Sequence, residues 1–155
     1  MTAPQTMDRD GIAKRIPHSG SMCLLERLES WSAGAIHCST NTHRDPANPL
    51  RVASGLLVPC AIEYAAQAMA LHGGLIAAEG SPPSAGFLAS ARGVRFSVAR
   101  LDTVDGALHL HAERLSGDDQ QVMYQFAVKD AQGASIAEGR AVVVLNTPLA
   151  TASKA

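Results

Sequence analysis

The stretch VPCAIEYAAQAMALHGGLIAA, residues 58–78, decides the fold. Pro59 suits the first turn of a helix, where its missing N–H costs nothing. The segment is followed by typical helix-stop signals, Gly80, Pro82 and Pro83. At 1.5 Å per residue, a helix of this span is roughly 30 Å long, about the diameter of a domain. Because the segment is apolar or small on nearly every side, it must be buried on nearly every side.

The flanking sequence alternates between apolar and polar residues in the manner of β-strands. The candidate strands are residues 23–31, 35–41, 86–98, 108–113, 122–128 and 139–145. Turn signals at 118–119 and 130–133 separate the last three. One long buried helix with several antiparallel strands is an α+β layout, in which a curved sheet wraps around the helix. We expect a single domain over 10–146, with mobile tails at 1–9 and 147–155.

Composition excludes several classes of protein. The 155 residues carry a net charge of −1, with 17% charged and 46% hydrophobic residues. The chain is too apolar to be disordered, and it has no basic excess for nucleic acid. Its three cysteines, Cys23, Cys38 and Cys60, lack the spacing of a disulfide framework or a metal site. With no signal segment and no membrane span, we expect a cytoplasmic protein without metal or cofactor.

Five segments resemble one family when they are taken together. They are IPHSGSMCLLERLESW (16–31), VPCAIEYAAQAMA (58–70), GVRFSV (93–98), DGALHL (105–110) and MYQFAVKDAQGASIAEGRAVVVL (123–145). Their order and spacing resemble the hot-dog-fold 3-hydroxyacyl-(acyl carrier protein) dehydratases over residues 12–146. The motifs Pro-His-Ser-Gly and Ile-Glu-Tyr-x-Ala-Gln are similar to those of the predicted dehydratases of aryl-polyene-type clusters.

The resemblance implies a fold, a reaction and partners. It implies a hot-dog dimer with acyl tunnels at the subunit interface. It also implies dehydration of a 3-hydroxyacyl thioester to the 2-enoyl thioester, in fatty-acid or polyene-type lipid biosynthesis. The substrate would be carried on acyl carrier protein or coenzyme A. Such a reaction needs a base, an acid and donors for an enolate-like oxygen.

The amino-terminal end of the predicted helix suits that chemistry. Its first N–H groups are candidate substrate donors, which makes Pro59, Cys60 and Ala61 candidate binding residues. Glu63 lies about one turn in, and burial would raise its pKa towards that of a general acid. Three further positions share its helix face and are candidate substrate-binding residues: Gln67, Ala70 and Gly74. Gln67 would orient the substrate or a water. The alternative for Glu63 is a buried carboxylate satisfied by backbone N–H groups.

The base is the difficulty. In the active dehydratases that the chain resembles, the catalytic histidine lies fourteen positions before the helix acid, and here that position is Pro49. His18 matches the family's Pro-His segment, but that histidine is not the usual base. His43 is the nearest upstream histidine. The candidate catalytic residues are therefore Glu63 with His18 or His43. A histidine within hydrogen-bond reach of Glu63 would favour catalysis.

Other readings stay open. Pro49 at the base position suits a non-catalytic hot-dog subunit that pairs with a separate, active dehydratase. Whether the chain forms a homodimer or a heterodimer with a related hot-dog subunit stays open. Hot-dog acyl thioesterases also use a carboxylate on the central helix. His109, His111 and Glu113 share one strand face that could hold a metal, although a solvated or interface face is the commoner reading. Arg92 and Arg95 suit an acidic carrier, a phosphate or a solvated strand edge.

Overall fold

The central helix forms in two parts. In the computed structural model, which describes residues 4–18, 20–77, 86–118 and 120–145, a 3₁₀ turn at Val58–Cys60 leads into helix α2, Ala61–Ile76. The predicted helix over 58–78 is therefore an α-helix only from Ala61, and its predicted stop signals at 80–83 lie outside the described residues. Nine of its sixteen residues are buried and the other seven are half-buried, so no residue of the helix is exposed.

An antiparallel sheet of seven strands packs against α2. The strands are β1 (Met7–Asp8), β2 (Arg27–Ser32), β3 (Ala35–Thr40), β4 (Gly86–Phe96), β5 (Leu108–Gly117), β6 (Gln121–Lys129) and β7 (Ser135–Leu145). Their order in the sheet is β1-β2-β3-β5-β6-β7-β4. Strands β3 to β7 all contact α2. The structure confirms the predicted α+β layout, with the sheet wrapped around one long helix.

Strand β2 begins later than the sequence pattern predicts. The backbone N–H of Leu24 donates to Oε1 of Gln67 at 2.9 Å. The carbonyl of Leu24 accepts from the hydroxyls of Thr40 and Thr42, at 2.6 and 2.7 Å. Side chains hold these backbone groups of Leu24, and β2 begins only at Arg27. This arrangement fixes the segment before β2 against the helix.

The amino-terminal residues contact the domain. Strand β1 pairs with the start of β2, and a short helix α1 follows at Arg9–Ala13. The Asp8 side chain caps α1 by accepting from the N–H of Gly11 at 3.0 Å. The predicted mobility of 1–9 stays a prediction, and the predicted tail at 147–155 lies outside the described residues.

His72 joins α2 to two separated strands. Its side chain is fully buried. One ring nitrogen, Nδ1, lies 2.7 Å from the hydroxyl of Tyr124, and the other, Nε2, lies 2.7 Å from the carbonyl of Ser32. With Nε2–H donating to the carbonyl, Nδ1 accepts from Tyr124, whose pKa burial raises to about 12. His72 is therefore a satisfied core histidine.

Among the described residues, no helix is both long and apolar enough to cross a membrane.

Candidate functional site

His18 and Glu63 form the centre of the candidate site. Glu63 lies in the first turn of α2, and His18 comes from the segment between α1 and β2. Nε2 of His18 lies 3.1 Å from Oε1 of Glu63, and the side chains are 25% and 35% exposed. The histidine that meets the helix carboxylate therefore comes from the Pro-His segment.

The charge state of Glu63 differs from the sequence-based expectation. The hydrogen bond from His18 holds the pKa of Glu63 below its usual value, and this effect outweighs burial, which acts in the opposite direction. The expected rise in pKa is therefore wrong, because the sequence did not show that a donor would face the carboxylate. Glu63 is ionised near neutral pH. Nδ1 of His18 is buried without a hydrogen-bond partner among the described residues.

A cavity of about 300 Å³ adjoins the pair. Its lining is Pro17, His18, Glu63, Ala66, Ala70, Leu88 and Val143. The polar pair is followed along α2 by the small side chains of Ala66 and Ala70. Leu88 and Val143, paired across β4 and β7, add branched apolar side chains. This lining suits a polar reacting group joined to a short apolar chain.

Gln67 fixes the segment that follows His18 against α2. Its Nε2 donates to the carbonyl of Met22 at 2.6 Å, and its Oε1 accepts from the N–H of Leu24. A longer contact of 3.5 Å joins Nε2 to Oε1 of Glu63. Since both ends of the buried amide bind the segment that follows His18, Gln67 positions that segment. Its predicted contact with substrate stays a prediction.

Of the other predicted binding residues on the helix, only Ala70 lines the cavity. Pro59 is exposed. The N–H of Cys60 already donates to the carbonyl of Leu57. The N–H of Ala61 donates to the carbonyls of Val58 and Pro59. Gly74 faces the amino-terminal segment, where a Cβ would come within 3.3 Å of the Arg15 carbonyl. These four residues therefore do not line the cavity beside His18 and Glu63.

The structure does not bring His43 to Glu63. His43 is fully buried, and its Nε2 lies 3.0 Å from the carbonyl of Val104. Burial holds the pKa of His43 below its usual value. Pro49 lies exposed in a turn. Among the described histidines, only His18 forms a contact with the helix carboxylate.

Four lining residues were not predicted. Ala66 lies three positions after Glu63, so the helical stripe could have included it. Pro17 precedes His18 in the segment that carried the resemblance. Leu88 and Val143 meet through strand register, which the pattern of a single chain does not specify.

A group of histidines lies on the outer face of the sheet. His37 on β3 stacks on His111 with ring centroids 4.2 Å apart. Nε2 of His37 lies 2.9 Å from Nδ1 of His109. No group of three or more histidine, cysteine or acidic side chains in the described part of the chain has the geometry of a metal site. The face that includes Glu113 therefore carries no metal assignment.

Comparisons with solved structures agree on the fold. The chain is similar to the dehydratase heterocomplex ApeI:P from Xenorhabdus doucetiae, with a TM-score of 0.81, 25% identity, and coverage of 92% of this chain and 95% of that one. It is similar in fold to a thioesterase from Staphylococcus aureus, with a TM-score of 0.60 and 12% identity over 77% and 92% of the two chains. For the Escherichia coli PaaI protein, the TM-score is 0.56, with 15% identity and 88% coverage of each chain. These likenesses confirm the hot-dog fold.

The sequence comparisons separate the families that share this fold. No curated protein sequence matched the chain. The sequence model of the ApeP-like family, described as ApeP dehydratase, matches residues 11–153. That match spans nearly the whole domain and includes both His18 and Glu63. The chain therefore belongs to the ApeP-like family of dehydratases.

Proposed function

We propose that the chain removes water from a carrier-bound 3-hydroxyacyl thioester and yields the 2-enoyl thioester, with His18 and Glu63 as the catalytic pair. The 3.1 Å contact between these two side chains is the observation that carries the proposal. It sets an ionised carboxylate against a histidine, and both side chains line a cavity whose other residues are apolar. Membership of a dehydratase family supports the same reaction.

The pair can move the protons of such an elimination. In the proposed step, His18 turns its buried Nδ1, which has no hydrogen-bond partner in the described part of the chain, towards the cavity. Nδ1 then takes the proton from the carbon next to the thioester carbonyl. The electrons of that C–H bond form the double bond, and the C–O bond to the hydroxyl breaks. His18 passes its Nε2 proton to Glu63, and Glu63 delivers it to the departing hydroxyl, which leaves as water. Glu63 ends the step ionised, as it began, and His18 ends it protonated on Nδ1. Exchange of that proton with water restores the Nε2–H form that donates to Glu63.

The test is an assay of 3-hydroxyacyl thioester dehydration, in which absorbance measures the conjugated product as it forms. Glu63→Gln and His18→Asn should each lower kcat by about 10²–10⁴-fold, the usual contribution of a positioned acid or base. His43→Asn is the matched control, because this buried histidine contacts Val104 and not the pair. If the two site variants keep wild-type kcat, the proposed roles are wrong.

The same assay separates dehydration from thioester hydrolysis. Hydrolysis releases a free thiol, whereas dehydration leaves the thioester intact. Solved thioesterases that are similar to this chain share 10–13% identity with it, so they show the fold alone. Thiol release without enoyl product would replace dehydration with thioesterase activity.

A second proposal concerns assembly. We expect the chain to act as one subunit of a paired hot-dog assembly, and the similar Xenorhabdus doucetiae structure is described as a heterocomplex. Strand β4 lies at the end of the sheet order, and its Leu88 and Phe96 side chains are exposed large hydrophobics. Both features suit burial against another chain. The carrier protein and the cytoplasmic location stay predictions.

A further inference from the structure

Strand β4 presents a long open edge. It hydrogen-bonds to β7 on one side, and among the described strands it has no neighbour on the other. Its eleven residues leave a row of backbone donors and acceptors available to another strand. By contrast β1, at the opposite end of the sheet, has two residues. If another chain extends this sheet, β4 is the edge with enough length to receive it.

A bulge gathers positive charge beside that edge. Arg92 pairs with Arg140 and Arg95 with Glu138, so three steps along β4 oppose two along β7. Residues three apart on a regular strand face opposite sides, but this bulge lets Arg92 and Arg95 line the same groove. Gly93 supports the bulge with a φ of +60°.

The groove has an excess of arginine. It occupies about 540 Å³ on the outer face of β4, β6 and β7, and its lining includes all three arginines and Glu138. In the described part of the chain, no carboxylate lies within 4.0 Å of the guanidinium nitrogens of Arg92, Arg95 or Arg140. Arg92 and Arg140 are direct cross-strand neighbours, which is an unfavourable pairing of like charges. An anionic group in the groove would relieve it.

A second copy of this chain does not supply that anion along β4. In a two-fold dimer the same strand faces itself, and the sequence of β4, GFLASARGVRF, contains two arginines and no carboxylate. Whatever the register, an arginine then faces a neutral residue or another arginine. Like charges brought together at an interface suppress the wrong pairing, and complementary charges select the right one.

We infer that β4 and its arginine groove select an unlike partner subunit, one whose facing strand carries aspartate or glutamate side chains. This inference rests on the proposed pairing of subunits and names the chemistry of the partner. Carboxylates from that strand would bind the guanidinium groups of Arg92, Arg95 and Arg140 through charge-assisted hydrogen bonds. The charge pattern thus makes the hetero-pair more stable than the homo-pair.

A charge-reversed form of this chain can stand in for the partner. The double variant Arg92→Glu, Arg95→Glu presents carboxylates on the same edge. Sedimentation velocity at low salt would compare wild type, the double variant and their equimolar mixture. We expect the mixture to associate at least about tenfold more tightly than either protein alone. The gain should shrink in high salt, which screens exposed charges.

The matched control is Arg27→Glu on β2, far along the sheet order from β4. Mixing that variant with wild type should give no gain, and circular dichroism should show all variants folded. The inference fails if the charge-reversed mixture associates no more tightly than its components. It also fails if wild type forms a tight homodimer that neither salt nor charge reversal affects. Arg92-dependent binding of coenzyme A or apo carrier protein, with association unchanged, would instead assign the groove to the substrate carrier.

The outcome is separable from that of the dehydration assay. If the wild type dehydrates the substrate but mixing does not tighten association, only the inference about β4 and its arginine groove is overturned. A gain on mixing without dehydration overturns the proposed reaction and leaves the pairing rule standing.

Discussion

Glu63 shows how one neighbour can reverse the effect of burial on a carboxylate. Burial alone favours the neutral acid, but a donor at 3.1 Å favours the charged form. In the described structure the donor has the larger effect. Above the ordinary carboxyl pKa of 4.5, this lowered value contributes to folding stability. The contribution is lost as the pH falls through the folded pKa.

Removing the donor should therefore raise the pKa of Glu63. In His18→Ala the burial penalty remains while its largest opposing interaction disappears, so the pKa should move upward. NMR titration of the side-chain carboxyl carbon would measure it. His43→Asn is the control, since His43 contacts the Val104 carbonyl and is not among the groups that act on this carboxyl. Equal pKa values in wild type and His18→Ala would contradict the role of the pair.

Gln67 allows a second test at the same scale. Gln67→Leu leaves the carbonyl of Met22 and the N–H of Leu24 without their amide partner, and should cost about 2 kcal/mol of unfolding free energy. Urea denaturation would measure the loss. Gln125→Leu, an exposed glutamine on β6, should change stability by no more than about 0.5 kcal/mol. Similar values for the two variants would mean that Gln67 does not clamp the segment.

The sequence predicted part of this site. Glu63, His18 and Ala70 could be named because helical spacing and the Pro-His segment are local features. The distance between His18 and Glu63 depends on how the segment before β2 folds against α2, and 45 positions separate the two residues. The direction of the Glu63 pKa shift depends on that contact, so it could not be predicted either.

At the scale of elements, β3 and β5 carry the histidine group on their outer face. His37 pairs directly with His111 across the two strands. Burial first, and then the neighbouring charges of His37, Lys129 and His109, hold the pKa of His111 at about 4. The same face includes Glu29, whose charge acts on His37 in the opposite direction. A folded sheet with neutral imidazoles is therefore favoured over a protonated one.

This group should make stability depend on pH. The folded pKa of His111 lies below the usual 6.5, so the unfolded chain binds more protons at pH values between the two. The unfolding free energy should fall as the pH drops from about 6.5 towards 4, and His111→Gln should flatten that slope. Chemical denaturation across this window measures the slope. An identical slope in His111→Gln would contradict the assignment. Lys129→Met should raise the folded pKa of His111 towards 6.5, because the lysine charge lowers it, and should therefore reduce the loss of unfolding free energy at low pH.

The sheet could be predicted in outline. Strands β5 to β7 alternate clearly and have turn signals between them, so their existence followed from the pattern. The late start of β2 could not be predicted, because Gln67 on a distant helix takes the Leu24 N–H. The bulge that joins Arg92 and Arg95 on one face depends on pairing with β7. Register of this kind is a relation between strands.

At the scale of the whole molecule, the amino-terminal segment tests where the domain begins. Deleting residues 1–8 removes β1 and the Asp8 cap of α1, and the cap alone is worth about 1 kcal/mol. The chain that begins at residue 4 keeps β1 and the Asp8 cap, so it is the control. Thermal or urea unfolding of both truncated chains would compare them. If the longer deletion also has no effect, the predicted mobile tail at 1–9 describes this end correctly.

The buried histidine of α2 also has a consequence for how fast the chain folds. Its two hydrogen-bond partners lie 52 and 40 positions away in sequence, on opposite sides of the helix in chain order. The polar ring is therefore satisfied only after both distant segments have docked. Contacts of such long sequence separation slow folding, because loop closure must come before the stabilising contact forms. The helix that dominates the sequence is thus expected to consolidate late, together with the sheet around it.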